Sequence, residues 1–193
     1  MKKRTNFFEL LGILLIACSL GLFLFARIQI QNTRSKVADI TLKIEAVLPA
    51  VTPGFPGDYA DTTMPVLQVD EKDYIGLLKI PAYGLTLPIA NEWSSFHVFS
   101  CPARFYGSAY DSTMIIGGND QSGQFDFFDR MNPGDNVRIT DMIGSEFSYT
   151  VDRIDRSQSV AYEKLASGGY PLTLFVRKAY STEYILVRCI TAF

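Results

Sequence analysis

Leu172-Thr173-Leu174-Phe175-Val176-Arg177-Lys178-Ala179-Tyr180-Ser181-Thr182-Glu183-Tyr184-Ile185-Leu186-Val187-Arg188-Cys189 holds two apolar runs, 172–176 and 184–189, around a polar segment. Aromatic and β-branched runs of that length, joined by a turn-like stretch, predict two neighbouring strands. Working upstream, Glu146–Ile154 alternates and pairs with Asn136–Thr140 across Met142–Ser145, and Pro133-Gly134-Asp135 is the turn that opens that pair. Met114-Ile115-Ile116 is a short buried strand ending at Gly117-Gly118. Leu85–Ile89 follows a Tyr83-Gly84 turn, and Tyr74–Ile80 is a strand closed by Pro81. Short strands, closely spaced turns and few helical stretches predict a mainly β domain, a sandwich or a barrel. It starts near Val66.

The N-terminal third reads differently. Met1-Lys2-Lys3-Arg4 is a basic head, and the residues from Phe7 to Ala26 carry one charge, Glu9. A helix of that length crosses a hydrocarbon core of roughly 30 Å. The basic head favours a cytoplasmic N-terminus, with Arg27, Arg34 and Lys36 on the far side weakening the bias. Leu15-Ile16-Ala17-Cys18 resembles a lipobox, but the apolar run continues past Cys18, so the expectation is an uncleaved anchor. Residues 28–49 read as a helical stalk: Val37, Ile40, Ile44 and Val47 keep a helical period, Asn32 or Thr33 is the expected cap and Pro49 the stop. Pro49 to Pro65 holds four prolines and two glycines and reads as a linker. The expected organisation is therefore 1–27 head and transmembrane anchor, 28–65 stalk and linker, and 66–193 β domain, a single-pass protein with its C-terminal domain outside the cell.

Bulk numbers exclude several classes. The net charge of the 193-residue chain is -2, and leaving out residues 1–27 leaves 14 basic and 19 acidic residues, a net of -5. An acidic body without a basic patch argues against nucleic acid as partner. Three cysteines without a Cys-x-x-Cys pair and one histidine argue against a zinc site, and no motif calls for a cofactor.

Several of these segments, in this order, resemble the sortases. Ile75–Pro81 is similar to that family's first strand, Leu87-Pro88-Ile89 to its second, and Arg104-Phe105-Tyr106-Gly107-Ser108-Ala109 to an Arg-Tyr-Ser-Gly-Ser segment of its membrane-anchored clostridial-type members. Asn132–Asp141 resembles the family's Gly-Asp turn and following strand. The resemblance covers about residues 73–193 and implies a closed β-barrel of about eight strands with short helices, behind a transmembrane helix. It also implies a reaction: a cysteine thiolate attacks the Thr–Gly carbonyl of a sorting signal, a histidine moves the proton, and an arginine steadies the oxyanion. The sequence departs from the pattern at all three places. Asn119 stands at the histidine position, Arg177 at the cysteine in the Thr-Leu-x-Thr-Cys strand, and Tyr184 at the arginine, while Phe125 keeps a family aromatic and Val187-Arg188 fits. Asparagine moves no proton near neutral pH and arginine, always protonated, is no nucleophile. Tyrosine carries no fixed positive charge. The implied protein is a sortase-like cell-surface pseudoenzyme of a Gram-positive envelope. Its partner would be a sorting-signal peptide, a surface protein or pilin, or an active sortase.

Two alternatives stay open. One is an active transpeptidase or peptidase with a relocated site, for which His97 and Cys101 are the thiol–imidazole candidates. The other is a purely structural envelope protein. Cys101 and Cys189 either form a disulfide or are two buried thiols. Arg177 either holds a carboxylate, such as a peptide C-terminus or an acidic side chain, or pairs with Asp120 or Glu183. Trp93 reads as a packing residue at the barrel end.

Overall fold

The computed structural model describes residues 7–94, 98 and 100–192. The chain divides into two compact units, Met1–Lys36 and Val37–Phe193. One helix, α1 (Phe7–Val47), begins in the first unit. By length and composition it crosses a membrane once, and none of its most apolar window is buried. The expected cap at Asn32 or Thr33 does not form, because the helix is continuous there. Thr33 is an interior residue whose hydroxyl donates to the Gln29 carbonyl at 3.0 Å, one turn back. The last turns of α1 belong to the second unit, where Val37 and Ile44 are buried against the β domain, whereas Val47 is exposed.

Eight strands of the second unit close into a barrel. In chain order the strands are β1 (Thr52–Pro53), β2 (Leu67–Val69), β3 (Lys72–Ile80), β4 (Leu85–Ala90), β5 (Ala103–Tyr106) and β6 (Met114–Asn119). They continue with β7 (Asn136–Asp141), β8 (Ser145–Ser157), β9 (Leu172–Arg177) and β10 (Tyr184–Thr191). A one-turn helix, α2 (Tyr162–Leu165), lies between β8 and β9. The ring runs β8-β10-β9-β6-β5-β4-β3 and closes through β7, which pairs with both β3 and β8; β1 and β2 lie outside the ring. Closure leaves the ring without an open edge. All seven strands read from the sequence form within one to three residues of the expected limits. The Pro/Gly-rich segment before them is packed on the domain: Met64 is fully buried and the Tyr59 ring stacks on Tyr110 at 3.7 Å.

The barrel interior is filled by Met114, Ile116, Leu172, Leu174, Ile185 and Val187 with residues from the other strands. The intervening side chains of the same three strands point outward, and there Ile115, Phe175 and Leu186 are buried with Leu165 of α2. Cover on both faces is why β9 and β10 read as continuous apolar runs rather than as alternating ones. The cover is fastened by Arg188, which is 2% exposed. Its guanidinium donates to the Lys164 carbonyl at 2.8 Å, to the Leu165 carbonyl, to Thr173 Oγ1 at 3.0 Å and to Asp155 Oδ2 at 3.2 Å. Removing it leaves acceptors buried without donors, at about 1–3 kcal/mol each before relaxation. Arg188→Ala is expected to lower the free energy of unfolding by about 3 kcal/mol. Arg188→Lys, which keeps the charge without the planar fork, should recover only part of it. Urea unfolding of the full chain in detergent, followed by the fluorescence of Trp93, measures both; full stability in either variant would refute this role.

Candidate functional site

The register of the strands builds the site. Parallel pairing of β6 with β9 sets Asn119 beside Arg177, and antiparallel pairing of β9 with β10 sets Tyr184 on the other side of Arg177. Asn119, Arg177 and Tyr184 are therefore one row across three adjacent strands, at the strand ends and on the outer face. The next row down is Gly117, Phe175 and Leu186. Above them lies a pocket of about 550 Å³, whose lining includes Asn119, Arg177, Tyr184, Trp93, Phe175 and Val160.

The floor is aromatic. Trp93 and Phe175 lie with ring centroids 5.2 Å apart, and Phe105 meets both edge-on at 5.5 and 5.4 Å. Gly117 makes this possible, since a Cβ there would strike the Trp93 and Phe175 rings. On the opposite side of β6, a Cβ at Gly118 would strike Phe125, which stacks on Phe128 inside the barrel. The Gly117-Gly118 pair lets rings press on both faces of one strand. Trp93 is thus a packing residue that also faces the pocket.

The polar groups of the row are mostly uncommitted. Arg177 donates its Nε–H to the Ser181 carbonyl at 3.0 Å, and its two terminal nitrogens have no partner among the described residues. Neither expected carboxylate reaches it. Asp120 accepts the Ala179 N–H at 2.8 Å and pairs with Lys178 at 3.3 Å, and Glu183 pairs with Arg156 at 2.5 Å. Lys178 also pairs with Asp129 at 3.3 Å. Partial burial opposes the Lys178 charge, but its hydrogen bonds to both aspartates outweigh that and hold its pKa above the usual value. The backbone N–H of Asn119 donates to Gln124 Oε1 at 2.8 Å, while its carboxamide and the Tyr184 hydroxyl carry no described partner. Gln124 in turn donates to the Val98 carbonyl at 3.0 Å and so ties the pocket wall to the end of β6. Tyr180, in the β9–β10 turn, was not singled out by sequence. It is fully exposed at the pocket mouth with φ of 58°, and a polar turn of this length gave no sign of it.

Such a row can hold a ligand through hydrogen-bond donors, but it contains neither a thiol nor an imidazole. Cys101 is buried with Ile44, Tyr74 and Leu77, and burial pushes its thiol up to about 12. His97 lies outside the described residues. Cys189 points into the barrel, where burial raises its pKa as well, and it is not bonded to Cys101. No cluster of His, Cys, Asp and Glu suited to a metal occurs among the described residues.

No protein-family model matches the chain, and no curated protein does. Solved structures do match. The pilus-related sortase C of Group B Streptococcus is 19% identical over 84% of this chain and 91% of its own, with a TM-score of 0.56. Sortase A from Corynebacterium diphtheriae is 18% identical over 84% of each chain, with a TM-score of 0.55. Sortase C1 from Streptococcus agalactiae is 23% identical over 65% of this chain and 71% of its own, with a TM-score of 0.56. At these identities the likeness is one of fold, and the barrel has the sortase fold.

The thiols give a direct check. A thiol held protonated and out of solvent is a poor nucleophile, so a charged maleimide at pH 8 should leave Cys101 and Cys189 unlabelled in the folded chain. Both should label once urea unfolds it. Rapid labelling of native Cys101, located by peptide mass mapping, would instead mark it as a reactive centre.

Proposed function

We propose that this is a membrane-anchored, sortase-like protein that binds rather than cuts: a pseudoenzyme receiving a sorting-signal peptide, a pilin or surface protein, or a partner sortase. The observation that carries the reading is the row Asn119, Arg177 and Tyr184 beneath an aromatic pocket, with its side-chain donors largely unpartnered. The matched solved structures are named as sortases, one of them pilus-related, which supports a surface-protein system as the setting. In this reading residues 1–27 are the cytoplasmic head and anchor, 28–65 the stalk and linker, and 66–193 the barrel displayed outside the cell. The basic head is the support for that orientation. Loss of the reaction is supported by chemistry: the row holds neither the thiol that would form the acyl-enzyme nor the imidazole that would carry the proton.

The test is incubation of the full chain in detergent with a mixture of sorting-signal peptides, read by intact mass and by the masses of the peptide pool. The expected outcome is no covalent adduct and no cut peptide, with peptide retained by the native protein on gel filtration. An adduct or a cut would overturn the pseudoenzyme reading, and one on Cys101 would assign the relocated site to His97 and Cys101. Absence of any retained peptide, pilin or sortase would count for a structural envelope role instead.

A further inference from the structure

We propose that the pocket over β6, β9 and β10 is a carboxylate receptor. Its ligand is the free C-terminal end of a peptide whose last side chain is apolar. This deepens the binding reading above and rests on it. The argument begins with Arg177. Its Nε–H is used by the Ser181 carbonyl, which fixes the plane of the guanidinium and leaves the two terminal nitrogens as a fork with no partner among the described residues. A planar fork of N–H groups matches the two oxygens of a carboxylate. The carboxylates that could have closed on it are taken: Asp120 by Lys178 and the Ala179 N–H, Asp129 by Lys178, and Glu183 by Arg156. Lys178, the other cation of the lining, is paired with those aspartates, so Arg177 is the lining cation that no carboxylate among the described residues pairs with. It stands out in a body whose net charge beyond residue 27 is -5.

The neighbours of Arg177 decide the kind of acid. Asn119 and Tyr184 flank it in the same row, and each has a side-chain donor to offer. Beside the row lies the Trp93 and Phe175 floor, which satisfies no polar group of a ligand other than through the indole N–H. An internal aspartate or glutamate would bring peptide groups on both sides against that floor. A chain end brings one peptide group, which Asn119 can meet, and it carries its charge next to its own side chain. Carboxylate and apolar group then enter together, the first onto Arg177 and the second onto the rings. Tyr180, fully exposed at the mouth, is placed to cover the preceding residue.

The experiment uses the full chain in detergent micelles and short peptides labelled with fluorescein at the N-terminus. They form a pool ending in Leu, Ile, Val or Phe, made once as free acids and once as C-terminal amides. By anisotropy the free acids should bind at least about tenfold tighter than the amides, the scale of a charge-assisted hydrogen bond. The gap should close in Arg177→Gln and shrink in Arg177→Lys, which keeps the charge but not the fork. Arg177 is exposed, so both variants should melt with the wild type. Equal binding of acids and amides by the wild type overturns carboxylate recognition while leaving peptide binding in place. A gap that survives in Arg177→Gln overturns the assignment to this residue. Amidated peptides with an internal aspartate that bind as well as the acids, or inorganic phosphate that displaces the acids as readily as unlabelled free acid does, overturn the chain-end ligand. No binding by any peptide overturns both the chain-end ligand and the peptide-binding part of the reading above.

Discussion

A buried guanidinium holds the working face of the barrel together. Arg188 is the largest of the fully buried side chains, and it has been taken out of water on the outside of a sheet rather than in its interior. A charge in that position survives only if its N–H groups are met. They are met by two carbonyls of α2, by the hydroxyl of Thr173 on β9 and by Asp155 on β8. Tyr170 adds its ring face at 5.7 Å. The four-residue α2 has too few turns to be stable by itself. It stays because Arg188 takes its last carbonyls and because Leu165 packs on Ile115, Phe175 and Leu186. The same segment leads from Val160, which lines the pocket. Stability and site thus share one fastening, and the row of Asn119, Arg177 and Tyr184 keeps its register because the strands beneath it are covered on both sides.

Much of this was legible in the sequence, for a physical reason. Strands that are buried on one or both faces must be apolar in period two or continuously so, and Gly and Pro mark where they stop. Residues 172–176 and 184–189 therefore declared themselves, within two residues of β9 and β10, whereas Gly117-Gly118, read as the stop of its strand, lies inside β6, which runs on to Asn119. The residues of the row came from the resemblance, and that they lie side by side is a finding of the strand register. The membrane helix was legible as an apolar run and residues 28–49 as helix, but the unbroken passage through Asn32 and Thr33 was not. Asn32 and Thr33 are cap residues by type, yet a hydroxyl can also bond back to the carbonyl of the preceding turn, and in α1 Thr33 does so.

What the sequence could not convey was who pairs with whom. Asp120 and Glu183 were as good partners for Arg177 as any by type and distance along the chain. The outcome depends on the path of the β9–β10 turn, which turns Lys178 toward Asp120 and Asp129 and lets Arg156 of β8 take Glu183. Side-chain pairing across strands is a three-dimensional contest, and a single sequence contains no distances. Cys101 is a similar case. Its neighbourhood in sequence is aromatic and polar, whereas its neighbourhood in space is Ile44, Tyr74 and Leu77, from α1 and β3. Burial there decides its chemistry, and only the fold reveals the burial.

The three side chains of the row decide the kind of work the site can do, and they do so together. A nucleophile, a proton carrier and an oxyanion donor form a set in which electrons and protons move. A guanidinium, a carboxamide and a phenol form a set without thiol or imidazole, in which every member can donate a hydrogen bond. A donor set above an aromatic floor favours a ligand with acceptor oxygens and an apolar body. The pocket retains the room for such a ligand because Gly117 keeps the floor flat and the Lys178 pairing keeps the neighbouring acids away from Arg177. Were Arg177 serving only to stabilise a closed cleft, its charge would be expected on a carboxylate within reach, and Asp120 is engaged instead by the residue next to it in the chain. Arg177 is exposed, so water meets its charge in the unliganded state, and a bound carboxylate would replace that water with two parallel hydrogen bonds.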